Sequence, residues 1–162
     1  MTKNQPTPEN ILIFNNIRSA QNVGAMFRTA DAVGISKIYL VGYTPAPIDR
    51  FGKKRSDLEK SALGAEEMVP WEIKKSLSAI IRRLRREGFL IIAIEQSENS
   101  IDYKKVKTKN KTAFVVGNEV IGLPKNLLNE CDIVAEIKMS GKKESLNVSV
   151  ALGVALFRIL NL

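Results

Sequence analysis

Three short stretches hold most of the side chains able to do chemistry: NIRSAQNVGAMFRTADAVG at 16–34, GNEVIGLP at 117–124 and MSGKKESLN at 139–147. Each mixes glycine with amide, hydroxyl or charged groups, as turns do when backbone must approach a ligand and side chains must orient it. The chain has no histidine and a single cysteine, Cys131. That closes off Ser/His and Cys/His nucleophile pairs, the histidine general base, and histidine or cysteine metal clusters, so no metal is expected. Common nucleotide motifs fail as well. GNEVIGLP spaces two glycines like a P-loop but has Leu-Pro where Lys-Ser/Thr is needed, and no G-x-G-x-x-G occurs. What remains is positioning and electrostatics. By residue type alone, Arg28 reads as an anion clamp or as an i,i+3 partner of Asp31, and Asn22 as a helix-start cap or a substrate amide. Glu119 reads as a solvated turn carboxylate, or as the group that neutralises Arg28, orients Asn22 or holds a loop. Ser145 reads as the N-cap of the last helix, whose first amides favour a carboxylate or phosphate.

The elements that must position these groups alternate. Residues 10–14 (NILIF), 37–41 (KIYLV), 89–94 (FLIIAI) and 112–117 (TAFVVG) are short apolar runs suited to strands covered on both faces. Val23, Met26, Phe27 and Ala30 recur at helical spacing, and Gly34 ends that helix. Over 71–87, Ile73, Leu77, Ile80, Ile81 and Leu84 predict a second helix, with an Arg-rich last turn and Gly88 to cap it. The class is α/β, a mostly parallel sheet flanked by helices. The connection from Gly42 to Pro70, rich in proline and charge, is expected to be a long surface loop of the binding or lid kind. No linker or repeat divides the chain, so residues 1–162 are expected to form one domain. The last segment, SLNVSVALGVALFRILNL, is apolar nearly all round and needs cover on every side; packing on its own sheet and on a second copy supplies it, which predicts a homodimer through this C-terminal helix.

The charge balance, 25 Lys plus Arg against 17 Asp plus Glu, is +8 and favours an anionic partner. The N-terminal residues lack an apolar stretch, no run is long enough to span a bilayer, and one cysteine fits a reducing compartment, so a cytoplasmic protein is expected, without membrane association.

The three stretches together resemble the motifs of the SpoU (TrmH) family of SPOUT-class RNA methyltransferases. Asn16, Arg18, Asn22, Gly24, Arg28, Thr29 and Gly34 fill its first motif; Gly117, Glu119, Gly122 and Leu123 its second; and Met139 through Ser149 its third. The resemblance implies a C-terminal trefoil knot, which a topology argument alone would discard. It also implies S-adenosylmethionine as cofactor, and methylation of a ribose 2′-hydroxyl in tRNA or rRNA. By the same resemblance the catalytic set is Arg28, Asn22, Glu119, Ser145 and Asn147. Gly117, Ile137 and Leu146 match cofactor positions, with Met139, Leu123, Ile94 and Glu95 beside them. Because a guanidinium is a poor base, Arg28 is expected to clamp phosphate and favour the developing alkoxide. The family's usual N-terminal RNA-binding extension is expected to be missing, since Ile11 already opens the first strand. RNA contact then falls to Arg18 and to Arg50, Phe51, Lys53, Lys54 and Arg55, where an aromatic ring sits among cations. The competing readings are a non-catalytic RNA-binding module of the same fold and a small-molecule methyltransferase. Cys131 and Trp71 read as packing.

Overall fold

The computed structural model describes residues 7–162; the first six, which belong to the one-domain expectation and to the N-terminal stretch read above, lie outside the described residues. Seven parallel strands form one sheet in the order β3-β2-β1-β6-β4-β7-β5. The central ones are those expected: β1 (Glu9–Asn15), β2 (Lys37–Val41), β4 (Leu90–Ile94) and β6 (Lys111–Val116). Their continuous apolar runs follow from burial on both faces. On one face Leu12 and Phe14 meet Val23, Met26 and Phe27 of α1 (Ala20–Ala32) and Leu152 and Leu156 of α6 (Val148–Leu160). The Phe14 and Phe27 rings meet edge to face at 6.3 Å. On the other face Ile11 and Ile13 join Leu77, Ile81 and Leu84 of α4 (Leu77–Arg86), and Cys131 and the short α5 (Lys125–Leu128) complete that layer.

Two expectations need correction. Residues 71–87 are not one helix: Trp71–Lys74 is the edge strand β3, paired with β2 from Ile38↔Trp71 to Val41↔Lys74. Ile73 falls on the helical period by chance and is exposed on that strand. The open edge of β2 supplies backbone partners there, and Ser76, whose hydroxyl accepts the Ala79 amide at 3.3 Å, starts α4 only afterwards. Nor is 42–70 wholly loop, because α2 (Ser56–Ala62) and α3 (Ala65–Met68) pack on α1 with Leu58, Ala62 and Ala65 buried. Gly24 makes this contact: a Cβ there would stand 2.0 Å from Ser61 Oγ and 2.5 Å from the Leu58 carbonyl. The short strands β5 (Ile101–Asp102) and β7 (Ile133–Glu136) were not expected; at two and four residues they carry no readable period. Trp71 is half-buried against the core. No helix among the described residues is long and apolar enough to cross a membrane.

Helix α6 is covered on one side only. Leu152, Ala155, Leu156 and Ile159 are buried, while Val150, Val154 and Phe157, at i, i+4 and i+7, form an exposed apolar stripe. Its all-round apolar composition therefore corresponds to one face on the sheet and one face open in the single chain.

Candidate active site

A cavity of about 540 Å³ opens at the carboxyl ends of β4, β6 and β7, where parallel α/β sheets place ligands. Ten of the twelve expected catalytic and cofactor residues line it: Asn22, Glu119, Ser145 and Asn147, with Gly117, Ile137, Leu146, Met139, Ile94 and Glu95. The strand ends contribute Ile94, Gly117 and Ile137. The loop into α6 contributes Met139 and the run from Glu144 to Asn147, and the first turn of α1 contributes Asn22.

Glu119 ties the motifs together. Its Oε2 accepts the Arg18 amide at 2.8 Å, and its Oε1 accepts the Ser19 amide at 2.9 Å and Asn22 Nδ2 at 3.0 Å. Asn22 Oδ1 in turn accepts Asn147 Nδ2 at 3.1 Å. One line of hydrogen bonds thus crosses all three motifs. Partial burial opposes the Glu119 charge, but the Arg18 and Ser19 amides and the Asn22 side chain outweigh it and hold the carboxyl below the usual carboxylate range. Glu95 works similarly at the β4 end, its two oxygens accepting the amides of Gln96 at 2.9 Å and Leu123 at 3.2 Å.

Several expected roles move. Asn22 does not precede its helix; Ser19 is the N-cap, its hydroxyl accepting the Asn22 amide at 3.2 Å, which frees the Asn22 side chain for Glu119 and Asn147. Ser145 is not the cap of α6 either. Asn147 is, with Oδ1 accepting the amides of Ser149 at 2.9 Å and Val150 at 3.4 Å, so Ser145 stands exposed at the cavity wall. Leu123 is buried in the α4 layer, outside this cavity, and reaches the site only through its amide on Glu95.

Arg28 is also outside it. Six residues beyond Asn22, it lies roughly 9 Å further along α1 and about 120° around it. There it borders a separate cleft with Leu63, Gly64 and Met68. It makes no ion pair with Asp31 or any other described residue, and Glu119 does not contact it. The helix that carries it packs on α6: the neighbouring Thr29 lies 3.9 Å from where a Cβ would stand on Gly153.

The sequence missed Gln96, whose amide holds the third motif through the Glu144 carbonyl at 2.9 Å, and Asn118. Asn118 Oδ1 accepts the amides of Val120 and Ile121, and its Nδ2 donates to the Asn16 carbonyl and to Tyr43 Oη, both at 2.9 Å. Its place between Gly117 and Glu119 was the available signal; Gln96 carries none. Among the basic set, Arg18 is exposed, Lys54 pairs with Glu67 at 2.5 Å and Arg55 with Asp57 at 3.3 Å. Arg50 stands 4.8 Å above the exposed Phe51 ring, and it and Lys53 have no ion-pair partner among the described residues. These cations and the cavity lie in separate segments of the surface, joined through the turn after β2. Burial pushes the Cys131 thiol up to about 12, which disfavours its thiolate.

A fully parallel sheet with a mixed apolar and carboxylate-lined cavity at its carboxyl edge defines a ligand-binding α/β protein. Residues 9–157 match the SpoU rRNA methylase family, and the chain belongs to that family. It is 34% identical over 154 residues to the 23S rRNA (guanosine-2′-O-)-methyltransferase RlmB of Neisseria meningitidis serogroup B, covering 95% of this chain and 59% of that protein. The crystal structure of an AdoMet-bound rRNA methyltransferase from Sinorhizobium meliloti superposes with a TM-score of 0.85 at 29% identity, covering 97% of this chain and 58% of that one. A TrmH/SpoU tRNA modifying enzyme from A. aeolicus superposes at 0.81 with 29% identity, covering 96% of this chain and 75% of that one. The chain spans about three fifths of the length of the curated relatives it matches.

Proposed function

We propose that the chain is an S-adenosylmethionine-dependent methyltransferase acting on a ribose 2′-hydroxyl of rRNA or tRNA, in the cytoplasm, built as one domain with a trefoil-knotted C-terminus. The observation that carries this is the Glu119–Asn22–Asn147 line, which draws the three family motifs to one cavity. The return of α6 from the far side of the sheet to pack on α1 and on the turn at 103–105 supports the knot.

The cavity suits the cofactor. Ile94, Ile137, Met139 and Leu146 give an adenine ring apolar walls, Gly117 gives backbone partners, and the Glu95 and Glu119 carboxylates favour a cation. When bound, S-adenosylmethionine supplies a methyl group on a sulfonium centre. The chain's own part is alignment, since attack must come in line and correct orientation is worth several kcal/mol of barrier. Asn22, held by Glu119 and Asn147, and Ser145 at the cavity wall orient the ribose. Arg28, a permanent cation, binds the adjacent phosphate and favours charge developing on the attacking oxygen.

Arg28 does this from a second copy. In one chain it lies outside the cavity, on the helix that packs against α6, whose Val150, Val154 and Phe157 stripe is uncovered. Two-fold pairing through α6 covers that stripe and carries each Arg28 toward the partner's cavity.

The test incubates the protein and an Arg28→Ala variant with radiolabelled S-adenosylmethionine and unmodified rRNA and tRNA, followed by nucleoside mass spectrometry. A 2′-O-methylnucleoside made by the wild type and lost in the variant is the expected result. Cofactor binding with no transfer to either RNA would favour a non-catalytic RNA-binding module.

A further inference from the structure

Tyr43 lies in the turn after β2, on the same edge of the sheet as the cavity, and its side chain is 59% exposed. Single exposed aromatics are ordinary. This one is fixed at both ends. Its amide donates to Asn16 Oδ1 at 3.3 Å and its hydroxyl accepts Asn118 Nδ2 at 2.9 Å. Asn16 is itself held at φ 56°, in the left-handed region. Gly42 approaches it so closely that a Cβ would stand 1.9 Å from Asn16 Oδ1, and Gly42 too has a positive φ, 66°. The turn is therefore shaped around one placement of the Tyr43 ring.

The ring is seated on the cavity loop itself. Asn118 is only 6% exposed, and its Oδ1 accepts the amides of Val120 and Ile121, which form one wall of the cavity. One buried amide thus holds both the cavity loop and the tyrosine. A ring so held has given up most of its rotational freedom before anything binds, so a flat partner laid on its face faces little further ordering cost. No cation covers that face among the described residues, unlike the Phe51 ring under Arg50.

The surroundings state what the partner is. Asn118 precedes Glu119, which holds the Arg18 backbone, and the connection that continues from Tyr43 carries Arg50 and Lys53 without ion-pair partners among the described residues. Unpaired cations for phosphates on the same connection as a bare aromatic face are the ingredients for holding unpaired RNA. Only β1 separates β2 from β6, and Asn118, which holds the Tyr43 hydroxyl at 2.9 Å, itself lines the cavity, so the tyrosine stands at the cavity's rim. We propose that Tyr43 is a stacking platform for an unpaired base flanking the ribose that enters the cavity. The proposal rests on the reading of the chain as an RNA methyltransferase.

Filter binding of protein-free ribosomal RNA across a salt series tests it, on the wild type and on Tyr43→Leu, Tyr43→Phe and Lys53→Gln, with S-adenosylmethionine affinity measured separately by calorimetry. Tyr43→Leu is expected to bind RNA about 30-fold more weakly, the middle of the range for one base–aromatic stack, with an unchanged salt slope. Tyr43→Phe keeps affinity within about twofold, because the ring remains. Lys53→Gln lowers the salt slope by about one instead. Cofactor affinity is the same in all four. The proposal is overturned if Tyr43→Leu binds RNA like the wild type, if Tyr43→Phe loses as much as Tyr43→Leu, or if Tyr43→Leu also loses the cofactor, since the tyrosine would then be only a strut of the loop. A wild type that binds the cofactor but no RNA overturns the RNA reading itself.

Discussion

Glu119 shows how much a single carboxylate can organise. It satisfies two backbone amides at the start of α1 and the Asn22 side chain, so the charge is a structural part of the cavity. Because its folded pKa is depressed below an ordinary 4.5, its contribution to stability is fully present above that value and is lost as pH falls through the folded pKa. Glu119→Gln is therefore expected to remove part of the acid-side loss of stability below about pH 4.5, read as a shallower fall in the urea midpoint with decreasing pH. At neutral pH it costs about 1–3 kcal/mol, because one amide is left without a charged acceptor. These residues were readable by type and motif. What type could not say was which groups they serve: the cap of α1 is Ser19, three residues before Asn22, and the cap of α6 is Asn147, two residues after Ser145. Capping depends on where the backbone turns, and neighbouring Ser and Asn are almost equally good caps.

At the level of elements, the four central strands and the helices α1 and α4 follow from periodicity, because each has enough residues to show a period. The short strands do not, and Ile73 satisfied a helical spacing while belonging to a strand. The α1–α2 contact was likewise invisible. Gly24 reads as a motif glycine, yet its packing role is to admit the Leu58–Ala62 backbone against α1. Gly24→Ala is expected to destabilise by about 1–3 kcal/mol, since one of the obstructing atoms is a main-chain carbonyl that cannot rotate away. Chemical denaturation reads the loss, and adding Ser61→Ala is expected to relieve only part of it.

For the whole molecule, the question is what covers α6 and where Arg28 acts. If the stripe is a two-fold interface, Phe157→Asp gives a particle of half the mass by light scattering and abolishes methyl transfer while leaving the fold intact by circular dichroism. Complementation tests the shared site directly. Arg28→Ala and Ser145→Ala are each expected to be inactive alone, and refolding them together in equal amounts restores about a quarter of wild-type activity, because half the dimers are mixed and each mixed dimer has one complete site. No recovery would place Arg28 in its own chain's cavity.

The sequence by itself determined the fold class, the strands of the sheet centre, the three motifs and most of the cavity's residues, because burial periodicity and motif chemistry are written locally. It also excluded histidine and metal-cluster chemistry by composition. Long-range packing alone established that Glu119 serves Asn22 rather than Arg28, that Arg28 lies outside the cavity of its own chain, and that Asn118 couples Tyr43 to the cavity wall. Those facts join residues far apart along the chain, and hydrogen-bond partnership across such separations is set by how helices and turns seat on the sheet, which no local pattern encodes.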